Sequence, residues 1–198
     1  MIGVRDALVR ALSDLQELAV PHALIGGLAV SARVEPRMTR DVDVAVAAAD
    51  DDAAEQVVHA MQARGYRVSS VIEQTATERL ATVRLVPGNS SPSGVVVDLL
   101  FASSGIEPEL VRDAEAIEVF RGVTAPVATV GHLIALKLLA ASEARPQDNV
   151  DLRRLVDIAV PGDVDTARRS VRTIAARGYA RGRDLEKALV QLLSSRPE

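Results

Sequence analysis

The chain has 198 residues and a formal net charge of −4, and 48% of its residues are hydrophobic and 25% are charged. These values are typical of a globular protein that forms its own core, and they exclude a low-complexity or collagen-like chain. The absence of cysteine excludes disulfides and thiolate metal sites, and the three histidines are too scattered to form a zinc site.

No segment of the chain is expected to enter a membrane. No apolar run reaches the length of about 18 residues that a spanning helix needs. The beginning of the chain contains Asp6 and Asp14 and lacks the long apolar stretch of a signal peptide. We therefore expect a cytoplasmic protein with no membrane partner.

The first part of the chain mixes helical and strand-like patterns. Apolar residues from Val4 to Leu15 recur at helical spacing, and HALIG, residues 22–26, reads as a short strand that ends in glycines. DVDVAVA, residues 41–47, alternates acidic and apolar residues, which predicts a strand with one polar edge. The other predicted elements of this part are helices over 27–34 and 51–65, a hairpin of strands 66–72 and 80–86, and strands over 95–102 and 117–120.

Beyond Pro126 the patterns predict helices only. Thr129 is a suitable N-cap for a helix over 130–141, and Pro146 is suited to the first turn of the next helix. Two further helices are predicted over about 163–177 and 184–194. The predicted fold is therefore α+β, with a mixed-sheet domain over 1–125 and a helical C-terminal region over 126–198.

Basic residues are concentrated near the C-terminus. Segment 166–183 contains six arginines and no acidic residue. Such a run is either a solvated helix face or a surface that contacts nucleic acid. Aromatic residues make up only 2% of the chain, which leaves few side chains for stacking on bases.

Three aspartates lie within predicted strands. Asp41 and Asp43 are two residues apart, so their side chains share one face of a strand at a spacing of about 6–7 Å. Asp98 lies in the middle of another apolar strand, and all three carboxylates converge if the two strands are neighbours. Carboxylates held this close repel one another unless a cation neutralises them, and hard oxygen ligands suit Mg²⁺. An edge strand that exposes its acids to solvent is the competing interpretation.

Two glycines precede this acidic strand. Gly26 and Gly27 lie between a predicted strand and a predicted helix, where they allow a phosphate group to approach the backbone and the helix N-terminus. The chain has neither the GxxxxGK[ST] nor the GxGxxG pattern. A triphosphate beside two metal ions therefore indicates nucleotidyl transfer, and a simple tight turn is the competing interpretation of the glycines.

These motifs resemble a known superfamily. The glycine pair, a gap of thirteen residues and then DVD, preceded by Arg37, Met38, Thr39 and Arg40, are similar to the signature of polymerase-beta-type nucleotidyltransferases. Together with ALKLLAASEARPQDNVDLRRL, residues 135–155, they are most similar to the AbiEii-type toxins of type IV toxin–antitoxin systems. The resemblance covers residues 20–160 and implies a minimal nucleotidyltransferase fold.

The resemblance also implies roles for individual residues. Asp41, Asp43 and Asp98 would hold Mg²⁺ or Mn²⁺, with Asp98 also near the proton of the acceptor hydroxyl. Gly26 and Gly27 would cradle an NTP. The remaining implied positions are Lys137 at a β- or γ-phosphate, Asp148 as a second acid of the nucleotide site, Arg145 before it, and Arg37 and Arg40 near phosphate.

Each of these last positions has a simpler alternative. Lys137 fits a snorkelling lysine, and Arg145 with Asp148 fits an ordinary helical ion pair. Asp151 is more typical of a solvated or capping residue, and Arg40 fits a salt bridge to a neighbouring acid. Gln147 stands where the family often has the lysine of an RxKD motif, and Gly27 stands where many superfamily members have serine.

The function predicted from the sequence is metal-dependent transfer of NMP from an NTP to an acceptor hydroxyl. The resemblance implies tRNA as an acceptor, contacted through 168–183, and a cognate antitoxin as a partner. Three alternatives stay open: a nucleotidyltransferase that modifies a small molecule, an inactive relative that only binds ligands, and a structural or interaction protein.

Overall fold

A computed structural model of the chain describes residues 3–36, 38–74, 77–88, 94–142 and 146–195. The predictions made for Arg37 and Arg145 lie outside the described residues.

The described residues form a mixed seven-stranded sheet with the strand order β3-β4-β5-β2-β1-β7-β6. Strand β2 runs parallel to β5, β1 runs parallel to β7, and the other neighbours are antiparallel. The strands are β1 His22–Ile25, β2 Asp41–Val46, β3 Tyr66–Gln74, β4 Arg79–Pro87, β5 Val96–Leu100, β6 Glu115–Phe120 and β7 Val123–Val127.

Helices pack against this sheet and then against one another. Helix α1 contacts β2 and β5, whereas α2 contacts the sheet and also α5 and α6. The helices are α1 Val4–Glu17, α2 Gly26–Arg33, α3 Asp51–Ala63, α4 Glu107–Arg112, α5 Val130–Ala140, α6 Pro146–Ile158, α7 Pro161–Ala176 and α8 Leu185–Ser194. The predicted α+β class, with a mixed sheet followed by helices, is confirmed.

Local sequence signals explain several helix boundaries. The Asp50 carboxylate accepts a hydrogen bond from the Ala53 N–H at 2.9 Å, which caps α3. Thr129 caps α5 as predicted, since its hydroxyl accepts the His132 N–H. No described helix is long and apolar enough to cross a membrane.

The hairpin of β6 and β7 departs from the sequence prediction. Strand β7 contains Pro126 and runs across the predicted domain boundary at 125/126, where helices alone were expected to follow. A proline inside a strand normally argues against an interior position, because it cannot donate a ladder hydrogen bond. It is accommodated here because β1 pairs with β7 only at Val127. The division into two domains stays a prediction.

Helix α4 was also missed. It has only six residues, and its first residue, Glu107, is buried. The Glu107 carboxylate accepts hydrogen bonds from the backbone N–H groups of Ser103 and Ser104 at 3.0 and 2.7 Å. These contacts shape the loop between β5 and α4. The helix was not predicted from the sequence because six residues are too few to show a periodic pattern.

The helical region is fastened to this loop by its arginine-rich segment. The Arg177 guanidinium bonds the Glu109 carboxylate at 2.6 Å, and the Arg181 guanidinium donates to the Ser103 carbonyl at 3.0 Å. A Cβ on Gly105 would overlap the ring of Tyr179, so the two chain segments touch closely. Much of the basic run therefore holds the fold together.

A substitution at Gly131 tests the packing of α5 against α7. A Cβ at this buried position would overlap the Asp163 carbonyl oxygen and the Thr166 side chain. We expect Gly131→Ala to lower the free energy of unfolding by about 1–3 kcal/mol through overpacking, measured by urea denaturation. Gly162→Ala is the matched control, because nothing lies within 4 Å of its Cβ position in α7. Equal stability of the two variants would contradict this account of the helix crossing.

Candidate active site

The glycine turn between β1 and α2 lies directly against the acidic strand. Gly26 has φ +65°, and a Cβ at this position would overlap the Asp43 carboxylate. The backbone N–H of the next residue, Gly27, hydrogen-bonds Asp43. Both the positive φ and the close approach require glycine at residue 26.

The three aspartates lie on adjacent strands, as the expected convergence requires. In the parallel pair of β2 and β5, Asp43 lies opposite Asp98. Directly paired residues project from the same face of a sheet, and Asp41 shares that face because it is two residues from Asp43. The intervening residues Val42 and Val97 are fully buried on the opposite face.

Within this cluster, the ionised form of Asp43 is disfavoured by its surroundings. Burial, followed by the charges of Asp98 and Asp41, raises its pKa from 3.8 to about 6. The Gly27 N–H and the charge of Lys137 lower the pKa, but they do not offset the increase. The cluster therefore has an excess of negative charge that a cation would neutralise.

Arg84 is a site residue that the sequence reasoning missed. It lies on β4 opposite Asp98, and its Nε and Nη2 donate to the two Asp98 carboxylate oxygens at 2.8 and 2.7 Å. The hydrogen bond to Asp98 raises the pKa of Arg84 further above its usual range. Only the register of β4 against β5 identifies this arginine, because an alternating strand position otherwise looks like a solvent-facing one.

Lys137 projects from α5 into a second polar cluster. Its Nζ lies 2.6 Å from Asp148 Oδ1 and 2.8 Å from Asp151 Oδ2. Asp151 is fully buried, and Gln147 Nε2 donates to Asp151 Oδ1 at 3.1 Å. Asp151 is thus part of the cluster rather than the solvated residue that its sequence position favoured.

One oxygen of this cluster has no hydrogen-bond donor among the described residues. It is Asp148 Oδ2, a buried atom, and Asp148 lines the same cleft as the three aspartates. A buried carboxylate oxygen without a donor is energetically costly.

Both clusters open into one cleft of about 740 Å³. Gly26 and Gly27 line it together with Lys137, whereas Arg40 is exposed outside the lining residues. Its described lining includes five carboxylates, of Asp41, Asp43, Glu73, Asp98 and Asp148, and three basic side chains, of Arg84, Lys137 and Arg181. A triphosphate needs added positive charge to enter such a cleft.

The residues present fit a divalent cation in their chemistry. Asp41 and Asp43 supply hard carboxylate oxygens, and burial together with the neighbouring carboxylates raises the pKa of Asp43. Within the described ranges, no group of three acidic or histidine side chains is already arranged to hold a metal.

The fold and this site define a class of protein. A glycine turn over a DxD strand, with a third acid on the neighbouring parallel strand, is the arrangement of polymerase-beta-type nucleotidyltransferases. The family model described as "Nucleotidyl transferase AbiEii toxin, Type IV TA system" matches residues 7–197, and the chain belongs to this family. The resemblance inferred from the motifs is confirmed.

Solved structures show the same fold at low sequence identity. A nucleotidyltransferase-like protein from Paracoccidioides brasiliensis is similar with a TM-score of 0.53 and 17% identity, covering 93% of this chain and 90% of that one. ANT(2")-Ia in complex with adenylyl-2"-tobramycin is similar with a TM-score of 0.50 and 14% identity, covering 95% of each chain. A putative nucleotidyltransferase from Thermotoga maritima is similar with a TM-score of 0.50 and 15% identity, covering 80% of this chain and 97% of that one. No curated protein sequence matches the chain.

The raised pKa of Asp43 predicts that replacing its carboxylate with a neutral group stabilises the metal-free protein. We expect Asp43→Asn to raise the free energy of unfolding by about 2 kcal/mol at pH 8 in EDTA, because the ionised carboxylate is disfavoured in the folded state. The folded pKa of about 6 exceeds the reference value of 3.8, so the gain should decrease as the pH falls through 6 and be nearly lost at pH 4. Urea denaturation at the two pH values measures both effects.

The control for this prediction is Glu55→Gln, which neutralises an exposed acid on α3. It should change the free energy of unfolding by less than about 0.5 kcal/mol. A destabilised Asp43→Asn variant at pH 8 would show that the carboxylate stabilises the fold, contrary to this interpretation.

Proposed function

We propose that this protein transfers NMP from an NTP to an acceptor hydroxyl with the help of divalent metal ions. The observation that carries the proposal is the placement of Asp43 beneath the Gly26 turn and opposite Asp98. The family is one of nucleotidyltransferases, and metal dependence is the part that we add.

The phosphate tail of the NTP would bind at the glycine turn. Gly26 and Gly27 begin α2, where backbone N–H groups and the helix dipole attract anions. Asp41, Asp43 and Asp98 would hold Mg²⁺ or Mn²⁺, which supplies charge neutralisation for phosphoryl transfer. Asp98 has lone pairs left for a metal while Arg84 holds its orientation, because an ionised carboxylate offers about four acceptor sites.

We assign the proton of the acceptor hydroxyl to the carboxylate of Asp148, which lines the cleft. The acceptor oxygen bonds to the α-phosphorus, the bond from that phosphorus to the bridging oxygen breaks, and pyrophosphate leaves. The hydroxyl proton passes to this carboxylate. Lys137, held between Asp148 and Asp151, would also meet the departing phosphates. Both oxygens of Asp98 already accept from Arg84, which favours a metal-holding role there.

We propose RNA, in particular tRNA, as the acceptor, and a cognate antitoxin as a partner, because the family is that of a type IV toxin. A small-molecule acceptor is the second candidate. It is favoured by the use of the basic segment within the fold, where Arg172 bonds Glu186 at 2.9 Å and Arg183 bonds the Ala141 carbonyl at 2.7 Å.

The central test is incubation with each labelled NTP, Mg²⁺ and total RNA. We expect one NTP to label RNA, and we expect Asp41→Asn/Asp43→Asn to reduce labelling at least 100-fold, as removal of the metal-holding acids should. Labelling that persists in this double variant would refute the assignment. Asp52→Asn/Glu55→Gln, which neutralises two exposed acids of α3 outside the cleft, is the matched control and should label RNA as the unaltered protein does.

A second experiment separates RNA from small-molecule acceptors. Arg168 and Arg169 lie exposed on α7 and contact Asp165 and Thr166 of the same helix, so Arg168→Ser/Arg169→Ser leaves the docking arginines in place. For an RNA acceptor we expect KM for RNA to rise about tenfold and the salt dependence to weaken, with KM for NTP unchanged. Unchanged RNA kinetics would favour the small-molecule acceptor.

A further inference from the structure

Strand β3 forms an exposed edge of the sheet. It pairs with β4 on one side and ends the strand order within the described residues. Residues 67–73 are exposed, and Val71 and Ile72 keep 54% and 57% of their surface accessible. A long edge with β-branched apolar side chains is a template for pairing with another strand.

The exposed segment, RVSSVIE, is complementary to itself. When two copies of β3 run antiparallel and centre on Ser70, Arg67 of one copy lies opposite Glu73 of the other. The register of β3 against β4 shifts between Val68 and Ser70 and between Ile72 and Glu73, so the residues between the two charged ends do not alternate regularly. Arg67 and Glu73 pair with Val86 and Leu80, which share one face of β4, and opposite charges at directly opposed positions stabilise antiparallel strands. The charges at the two ends of the segment are therefore complementary to those of a second copy of this chain.

The other edge of the sheet lacks this property. Strand β6, Glu115–Phe120, exposes Glu115 and Glu118 and contains no basic residue. Glu115 is also engaged by Arg33, whose Nη1 lies 2.6 Å from its carboxylate. Two copies of β6 would bring acids together with nothing to neutralise them, so β6 is not suited to self-pairing.

We propose that two copies of this chain associate through β3, antiparallel and centred on Ser70, so that their sheets join. A single strand pair is a small interface, and the dimer is accordingly weak and dependent on concentration. Ile72 and Gln74 also line the cleft, so the second copy lies along its wall. The proposal does not depend on nucleotidyl transfer.

Cysteine cross-linking tests the register. The chain has no cysteine, so Ser70→Cys introduces a single thiol. Directly opposed residues of antiparallel strands have Cα atoms about 4.5–5.5 Å apart, which is within the range of a disulfide. We expect Ser70→Cys to form disulfide-linked dimers under mild oxidation at a concentration where Ser13→Cys, an exposed control on α1, stays monomeric. Equal cross-linking of the two variants, or none, overturns the proposal.

Charge exchange tests the pairing itself. Arg67→Glu places two acids opposite each other at both ends of the strand pair, and we expect it to raise the dimer Kd about tenfold in sedimentation equilibrium. Arg67→Glu/Glu73→Arg restores opposite charges and should return the Kd to within about twofold of the original. A double variant as weak as the single one overturns the proposed register.

Discussion

The site depends on the close approach of a backbone turn to a carboxylate. Gly26 lies against Asp43 with no room for a side chain, and this contact lets the Gly27 N–H bond the carboxylate. The turn, the start of α2 and the acidic strand are thereby held in one arrangement. Because β5 pairs with β2 in register, the same contact also places Asp98 under the turn.

Charge is balanced unevenly around this contact. Arg84 neutralises Asp98, and Lys137 is shared between Asp148 and Asp151. Among the described residues Asp43 has no ion pair of this kind, and burial together with the charges of Asp98 and Asp41 raises its pKa to about 6. The ionised carboxylate therefore lowers the stability of the fold at this point, which is the trade-off expected of a buried cluster that serves a ligand rather than the fold.

The helical region supplies residues to the site and is itself anchored beside it. Helix α5 presents Lys137 and α6 presents Asp148 to the cleft formed at the sheet. Arg177 and Arg181, which follow α7, bond to Glu109 of α4 and to the Ser103 carbonyl of the loop after β5. A basic segment can thus serve mainly to bond one part of the fold to another, which its composition alone does not reveal.

The sequence by itself determined most of the local elements, with α4 and β7 as exceptions, because strand and helix periods and caps such as Thr129 are short-range properties. It also determined the glycine pair and the DxD strand, since both lie within one short stretch of chain. Only the tertiary structure placed Arg84 on Asp98, joined Asp151 to Lys137 and accommodated Pro126 in β7. These features depend on strand register and helix docking between distant segments, and an isolated arginine, aspartate or proline has the same local pattern whichever partner it finally meets.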